Sequence, residues 1–249
     1  RDAAAYLMND FYNLLDEKQV YFFPSSYKRS VAYGAEDAQG VVQRTAAMNA
    51  VKGFTKGYLI VCTYPEALAE RVADAETLRR DTIAVKVGDS ISIAVLEDAL
   101  VDANFTRVDF VYEPGQYSVR GGIVDVFSFS ESKPYRIDFF GDEVDSIRRF
   151  NISSQLSADK LDRVEIIPNL NAGDGAAKVS FVQFAGDAAA YWFYDADYVL
   201  RRVNDIRRKT LADMERPEEI DRLMTSRNAL LGDLANCRML ALRDLSLIH

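Results

Sequence analysis

The side chains best suited to chemistry lie on a predicted strand near the middle of the chain, at 133–140. Strand alternation separates its residues into two faces, with Tyr135, Ile137 and Phe139 on one and Arg136, Asp138 and Phe140 on the other. If the apolar face meets the core, Phe140 stands in solvent beside a guanidinium and a carboxylate. This combination is typical of a protein-binding hot spot rather than of a catalytic centre.

Residues for nucleophilic or metal-dependent catalysis are scarce. The only histidine is His249, so the usual general base and the usual metal ligand are missing from the rest of the sequence. Cys62 and Cys237 are far apart and form no CxxC pair. These observations exclude Ser/His/Asp and Cys/His catalysis and argue against a zinc site or a disulfide framework. The cysteine usage favours a reducing, cytoplasmic setting.

A phosphate-binding loop is not indicated. The segment 53–58, GFTKGY, contains glycines and a lysine, but it does not fit GxxxxGK[ST] and it precedes a strand. A phosphate cradle needs successive backbone N–H groups in a loop that leads into a helix N-terminus. Gly121 and Gly122 lie inside a strand pattern and indicate a bulge or a turn. We therefore expect no nucleotide hydrolysis.

Four carboxylates lie close together in the sequence near the same strand: Asp138, Asp142, Glu143 and Asp145. Their spacing does not fit an EF-hand loop, which needs alternating carboxylates, a glycine and a closing glutamate. The simpler interpretation is a tight hairpin turn at Gly141 and Asp142, with the carboxylates paired across strands to Arg136, Arg148 and Arg149. We favour this interpretation over a metal site.

The composition indicates a folded chain with weak or no affinity for DNA. Of its 249 residues 49% are hydrophobic, and the length allows two or three small domains. The net charge of −8 opposes binding to a phosphate backbone. The main basic group lies on a predicted helix, where a solvated face is favoured over a contact surface. It consists of Arg201, Arg202, Arg207, Arg208 and Lys209.

No membrane segment is expected, since no run of about 18 apolar residues could span a bilayer and the first residues lack the order of a signal peptide. The sequence starts without Met and enters a helical pattern directly. We therefore expect a fragment of a larger protein.

The character of the predicted elements changes near residue 81 and again near residue 168. Helices are predicted at 3–15, 41–51, 93–103, 195–210 and 217–234, with strands outside the middle part at 20–23, 58–62, 178–184 and 189–194. The stretch 25–40 is expected to be an exposed loop or hairpin. The first part reads as an α/β layer, and the middle part is mostly short strands and turns. We divide the chain into domains at 1–80, 81–170 and 171–249.

Three sequences within the chain are distinctive: PGQYSVRGGIVDVF, YRIDFFGDEVDSIRRF and SSQLSADKLDRVEIIP. In order and spacing they resemble the N-terminal region of the bacterial transcription-repair coupling factors, the Mfd family. Weaker similarity at FFPSS, TYPEALAERV and SFVQFAGDAAAYWFYD extends the resemblance over nearly the whole chain.

The resemblance implies a combined α/β and α+β fold related to the excision repair protein UvrB. Residues 1–80 would form a degenerate helicase-like α/β module that is incomplete at its N-terminus. Residues 81–170 would form a strand-rich UvrA-binding module, and 171–249 a small α/β companion module. The parent protein is expected to be an ATP-dependent DNA translocase whose motor and RNA polymerase contact lie outside this chain.

The resemblance also implies which residues recognise UvrA. They are Arg120 in SVRGG, Arg136 in YRIDFF and Phe140 at the end of that strand, with Asp138 and Arg148 as neighbours that complete the rim. Guanidinium groups can bind carboxylates in a bidentate manner while Phe140 fills an apolar pocket. The alternative for each arginine is an ion pair with a carboxylate of its own chain.

The leading hypothesis is a non-catalytic recruitment region that docks UvrA and so brings excision repair to stalled transcription complexes. Its partners would be UvrA and other domains of the same polypeptide, with RNA polymerase and DNA reached only through the parent protein. No cofactor is expected in this chain, since ATP and Mg²⁺ would belong to the motor region of the parent.

Two alternatives remain open at this point. The chain could be part of a UvrB-like or helicase-type DNA-processing enzyme whose ATP site lies outside it, which a GxxxxGK[ST] motif upstream of Arg1 would favour. It could also be a structural clamp, in which the same surface docks onto another part of its own polypeptide.

Overall fold

The computed structural model describes residues 1–15, 19–27, 37–170 and 177–241. The protein is a mixed α/β structure with a multistranded sheet, in agreement with the coarse fold class expected from the sequence. Much of the predicted loop at 25–40 falls on residues 28–36, which lie outside the described ranges. The prediction is wrong at its C-terminal end, because a helix begins at Ala38. Within these ranges, no helix is both long and apolar enough to cross a membrane.

Helices and strands alternate along most of the chain. The helices are α1 (Asp2–Leu14), α2 (Ala38–Gly53), α3 (Pro65–Ala69), α4 (Ala75–Asp81), α5 (Ile93–Asp102), α6 (Phe181–Ala185), α7 (Ala196–Asp213), α8 (Ile220–Leu223) and α9 (Arg227–Leu234). The strands are β1 (Val20–Phe23), β2 (Ile60–Thr63), β3 (Val72–Ala73), β4 (Ile83–Lys86), β5 (Thr106–Arg107), β6 (Gln116–Arg120), β7 (Ile123–Val126), β8 (Tyr135–Phe140), β9 (Glu143–Phe150), β10 (Ser157–Leu161), β11 (Arg163–Ile166), β12 (Lys178–Val179), β13 (Ala190–Phe193) and β14 (Arg238–Ala241).

The middle part of the chain forms a six-stranded sheet with the strand order β10-β9-β8-β7-β6-β5. Strands β6 to β10 follow one another as antiparallel neighbours, whereas β5 runs parallel to β6. Two hairpins turn at Gly121 and Gly141, whose φ angles of +60° and +62° suit glycine far better than other residues. The predicted turn at Gly141 and Asp142 is therefore confirmed, and the glycine pair at 121 and 122 forms a turn rather than a bulge.

The main core of the middle part lies against one face of this sheet. Tyr135 and Ile137 of β8 are buried there with Leu96 and Leu100 of α5. Phe139 packs against the same cluster but is only partly buried. The pairing of β8 with β9 shifts register between Asp138 and Phe139, so this hairpin end departs from a regular ladder. Alternation thus assigned the core-facing residues correctly, although Phe139 lies at the margin of the core.

The chain divides into two compact units. One comprises Val41–Ala46 and Glu76–Asp174 and contains the six-stranded sheet; we call it the sheet unit. The other, the terminal unit, comprises Arg1–Gly40, Ala47–Ala75 and Gly175–His249. The predicted division into three modules, at 1–80, 81–170 and 171–249, stays a prediction.

Segments from both ends of the chain pack together within the terminal unit. The rings of Phe23 and Phe181 stack with their centroids 3.9 Å apart, and Arg202 of α7 donates to Glu66 of α3 at 2.9 Å. Parallel pairing of β1 with β2 and of β13 with β14 provides its longer strand ladders. An α/β arrangement was predicted for both 1–80 and 171–249. The Phe23–Phe181 and Arg202–Glu66 contacts join residues that are more than 130 positions apart in the sequence.

Two predicted elements near the C-terminus are wrong in part. The segment 178–184 is a two-residue strand followed by α6, because Ser180 caps that helix: its Oγ accepts from the Gln183 N–H, and the Gln183 side chain accepts from the Ser180 N–H. The single helix predicted at 217–234 is broken into a 3₁₀ turn, α8 and α9. Met224 is extended at the break, and Ser226 caps α9.

Truncation of Ile137 should destabilise the sheet unit, because this side chain of β8 is fully buried in the main core. We expect Ile137→Ala to lower the free energy of unfolding by about 2–5 kcal/mol. Val101→Ala, which shortens an exposed side chain on α5, should change it by no more than about 0.5 kcal/mol. Urea denaturation of both variants measures the difference, and equal midpoints would contradict this account of the core.

Candidate protein-binding surface

The five residues assigned to recognition share the sheet face that is opposite the main core. Arg136 of β8 lies opposite Asp125 of β7 on one side and opposite Arg148 of β9 on the other. Asp138 of β8 lies opposite Ile123 of β7, and Ile123 in turn lies opposite Arg120 of β6. Opposed residues in neighbouring strands point to the same face. We call this the outer face and define it by Arg120, Asp125, Arg136, Asp138, Phe140 and Arg148. The structure therefore places all five together, while their role in binding stays a prediction.

A buried carboxylate lies at the centre of the outer face. Asp125 Oδ1 accepts from Arg136 Nε at 2.7 Å, and its Oδ2 accepts from Arg136 Nη2 at 2.8 Å and from Arg120 Nη2 at 2.6 Å. Asp125 is almost fully buried, whereas the side chains of Arg136 and Arg120 are 15% and 36% exposed. We call these three residues the arginine–aspartate cluster. Its hydrogen bonds fix both guanidinium groups before any partner arrives.

Other contacts complete the environment of Arg136. Its guanidinium lies over the Phe150 ring, 4.4 Å from the ring centroid, and donates to the backbone oxygen and Oε1 of Gln155 at 3.4 and 3.3 Å. Hydrogen bonding to Asp125 raises the pKa of Arg136 above its ordinary value, so the group stays charged. The guanidinium group of Arg136 is thus largely occupied by contacts within the chain, while Arg120 presents more of its surface to solvent.

Asp138 and Arg148 form a second ion pair on the outer face. Asp138 Oδ2 accepts from Arg148 Nη2 and, at 2.9 Å, from Ser146 Oγ. Both charged side chains are partly exposed. The neighbouring Arg149 pairs with Glu131 instead. Ion pairs within the chain, the alternative considered for the arginines, are therefore present for Arg120, Arg136 and Arg148.

Ion pairing does not neutralise the arginine–aspartate cluster. Two guanidinium groups share the single carboxylate of Asp125, so the arginine–aspartate cluster carries one net positive charge. A guanidinium has five N–H donors and can serve an internal and an external acceptor together. Internal pairing and partner binding are thus compatible at Arg120.

Phe140 is the most exposed apolar side chain on the outer face. Its exposed fraction is 83%, the highest among the large hydrophobic residues that the structure describes. Its position follows from the end of β8 and the glycine turn that follows it. A single exposed ring is common on protein surfaces, but one that shares a sheet face with fixed guanidinium groups has the composition of an interface anchor.

A surface segment that the sequence analysis overlooked lies beside the arginine–aspartate cluster. Residues 108–112, which we call the aromatic segment, are anchored by Val111, which is buried with Phe127 and Phe150. The ring of Phe110 lies 4.8 Å from the Arg120 guanidinium carbon. The alternation of VDFVY contained this signal, since it places a buried valine between two aromatic residues that face away from it.

Three observations concern the other chemistries considered for this chain. Across 1–15, 19–27, 37–170 and 177–241, no group of three or more His, Cys, Asp or Glu residues could hold a metal ion. Segment 53–58 joins the C-terminal end of α2 to β2, as its position before a predicted strand indicated. Burial raises the pKa of the Cys62 thiol to about 11, which keeps it protonated and poorly reactive.

Removal of the Asp125 carboxylate should destabilise the sheet unit. Asp125→Ala leaves two guanidinium groups without their shared partner, and breaking a buried ion pair from one side costs about 3–5 kcal/mol. Asp138→Ala provides a matched control, because its ion pair with Arg148 is more exposed and should matter by about 1 kcal/mol or less. Chemical denaturation compares the two, and a cost for Asp125→Ala no greater than for the control would contradict a structural role.

Comparison with known proteins gives matches over the region that contains this surface. Residues 83–171 match the family described as "UvrB interaction domain". Proteins described as "Transcription-repair-coupling factor" are similar over longer stretches. The relative from Bacillus subtilis is 30% identical over 161 residues, which are 64% of this chain and 13% of the relative. The relative from Escherichia coli is 31% identical over 128 residues, 51% of this chain and 11% of the relative.

The family match covers the three distinctive sequences on which the resemblance was inferred. A third relative, from Haemophilus influenzae, is 30% identical over 128 residues. The chain spans little more than a tenth of the length of these relatives. Its central region is therefore related to the UvrB interaction domain family, and the chain is similar to transcription-repair coupling factors over 51% to 64% of its length.

Proposed function

We propose that the sheet unit is a non-catalytic docking module that binds UvrA through the outer face. The observation that carries this proposal is the exposed Phe140 ring on the same strand as the fixed guanidinium group of Arg136. Binding hot spots combine such large apolar anchors with arginines that are already oriented. The match of residues 83–171 to an interaction domain supports this choice of surface.

The five residues take different roles in this proposal. Phe140 enters an apolar pocket on UvrA, and Arg120 donates to a carboxylate of the partner with N–H groups that Asp125 does not occupy. Arg136 holds Asp125 in place and contributes positive charge. Asp138 and Arg148 lie at the rim, where charges influence association rate and specificity more than affinity.

The role of the parent protein is also part of the proposal. Docking of UvrA by this region would bring excision repair to a stalled transcription complex, while the parent translocase supplies the contacts with RNA polymerase and DNA. We propose a cytoplasmic location, and ATP and Mg²⁺ are assigned to the parent's motor. The similarity to transcription-repair coupling factors supports this assignment.

Substitutions at two adjacent residues of β8 should have different effects, one on UvrA affinity and the other on the free energy of unfolding. Phe140→Ala removes a solvent-exposed ring and should leave the free energy of unfolding nearly unchanged, yet weaken UvrA binding by on the order of 2 kcal/mol or more. Phe139→Ala removes a partly buried ring at the core margin and should cost about 2 kcal/mol of stability, less than for a fully buried phenylalanine.

Titration calorimetry with purified UvrA and thermal melts measure the two effects on the same preparations. Val101→Ala is the control, since it truncates an exposed apolar residue. Val101 lies on α5, the helix that packs against the main core and not on the outer face. Unchanged UvrA affinity of Phe140→Ala, or unfolding of that variant, would refute the assignment of the outer face.

The chain should neither bind ATP measurably nor hydrolyse it. The lysine closest to a phosphate-loop pattern is Lys56, and its segment leads into β2 rather than into a helix. Lys56→Ala should therefore leave any background ATPase rate unchanged. A magnesium-dependent rate that disappears in this variant would instead favour the UvrB-like or helicase-type enzyme.

A further inference from the structure

We propose that the aromatic segment, residues 108–112, forms a second contact site for UvrA, with Phe110 and Tyr112 as its contact residues. This inference rests on the proposed function and extends the binding surface beyond the residues that the family resemblance indicates. Both side chains are exposed, at 48% for Phe110 and 60% for Tyr112. Apolar side chains of UvrA would pack against the exposed parts of the Phe110 and Tyr112 rings.

The size of a stable interface requires contacts beyond Phe140 and its charged neighbours. Specific protein complexes typically bury about 800 Å² on each partner, contributed by roughly 20–30 residues a side. The five recognition residues are too few for such an area, and two of their arginines are partly covered by internal contacts. The interface must therefore continue across neighbouring surface of the sheet unit.

Exposed apolar side chains indicate the direction of that extension. In the sheet unit the exposed large hydrophobic residues that the structure describes are Val87, Val95, Val101, Phe110, Tyr112, Phe140 and Leu156. Val95 and Val101 belong to α5, which packs on the opposite side of the sheet. The exposed aromatic residues in this set are Phe110, Tyr112 and Phe140, and Phe110 contacts the outer face directly through Arg120.

Two open depressions that both border Phe110 provide space for a partner. One has a volume of about 410 Å³ and is lined by Phe110 together with Arg107 and Arg120. The other has a volume of about 350 Å³ and is lined by Phe110 together with Tyr112 and Ile152.

Both depressions are continuous with the proposed interface. Arg120, which borders the first, belongs to the arginine–aspartate cluster. Gln155, which borders the second, accepts hydrogen bonds from Arg136 of the same cluster. A partner that binds Arg120 would therefore also contact the adjacent Phe110 ring.

The backbone of the aromatic segment is already held in place. The Val108 N–H donates to the Tyr117 backbone oxygen at 2.9 Å, and the Asp109 backbone oxygen accepts from Ser118 Oγ at 3.1 Å. The Tyr112 N–H donates to Gln116 Oε1 at 2.9 Å. Together with the buried Val111, these contacts mean that binding would cost little ordering entropy.

Titration calorimetry of UvrA with single variants of the 249-residue chain tests the inference. Phe110→Ala should raise the Kd about tenfold or more and Tyr112→Ala at least about threefold, whereas Val101→Ala should leave it unchanged. Thermal melts check that each variant is folded. Hydrogen exchange of the wild-type chain gives a readout that needs no variant, and backbone amides in 108–113 should exchange more slowly when UvrA is bound.

The outcomes separate this inference from the proposed function. If Phe140→Ala weakens binding while Phe110→Ala and Tyr112→Ala do not, the docking function stands and the second contact site is overturned. If only Phe110→Ala has an effect and exchange in 108–113 is unchanged, Phe110 merely positions Arg120 and the contact site is likewise overturned. If UvrA does not bind the wild-type chain, the proposed function and the second site both fail.

Discussion

The geometry of the outer face depends on one buried carboxylate. Asp125 on β7 accepts hydrogen bonds from Arg120 on β6 and Arg136 on β8, so three adjacent strands are tied together through their side chains. The burial of Asp125 carries a desolvation cost that only well-oriented partners offset. This requirement holds both guanidinium groups in defined positions, and it explains why a charged residue occupies a strand that is otherwise apolar.

Much of the sheet unit was predictable, because period-two alternation and glycine turns are local signals. The facing of β8 and the hairpin turn at Gly141 follow from residues only a few positions apart. The pairing of Arg136 with Asp125 was not predictable in the same way, since it depends on the register between β7 and β8. Sequence reasoning offered nearby carboxylates as partners, whereas the register selected one that is 11 positions away.

The terminal unit shows where local signals were insufficient. The segment 178–184 was predicted as a strand, but the capping box formed by Ser180 and Gln183 stabilises a helix start. That signal was readable as Ser followed three residues later by Gln, and it outweighed a weak strand pattern. The stacking of Phe23 on Phe181 had no comparable signal, because nothing near either residue specifies a contact with a segment so distant in the chain.

The edges of the six-stranded sheet bear on the solubility of the protein. One edge is β5, which has only two residues, and the other is β10, whose sequence SADKL is mostly exposed and includes Asp159 and Lys160. An open edge offers backbone N–H and C=O groups to a strand of another molecule, which is a common route to aggregation. A very short strand at one edge and adjacent opposite charges at the other oppose such pairing. The sheet can therefore display an apolar ring on its face while its edges resist self-association.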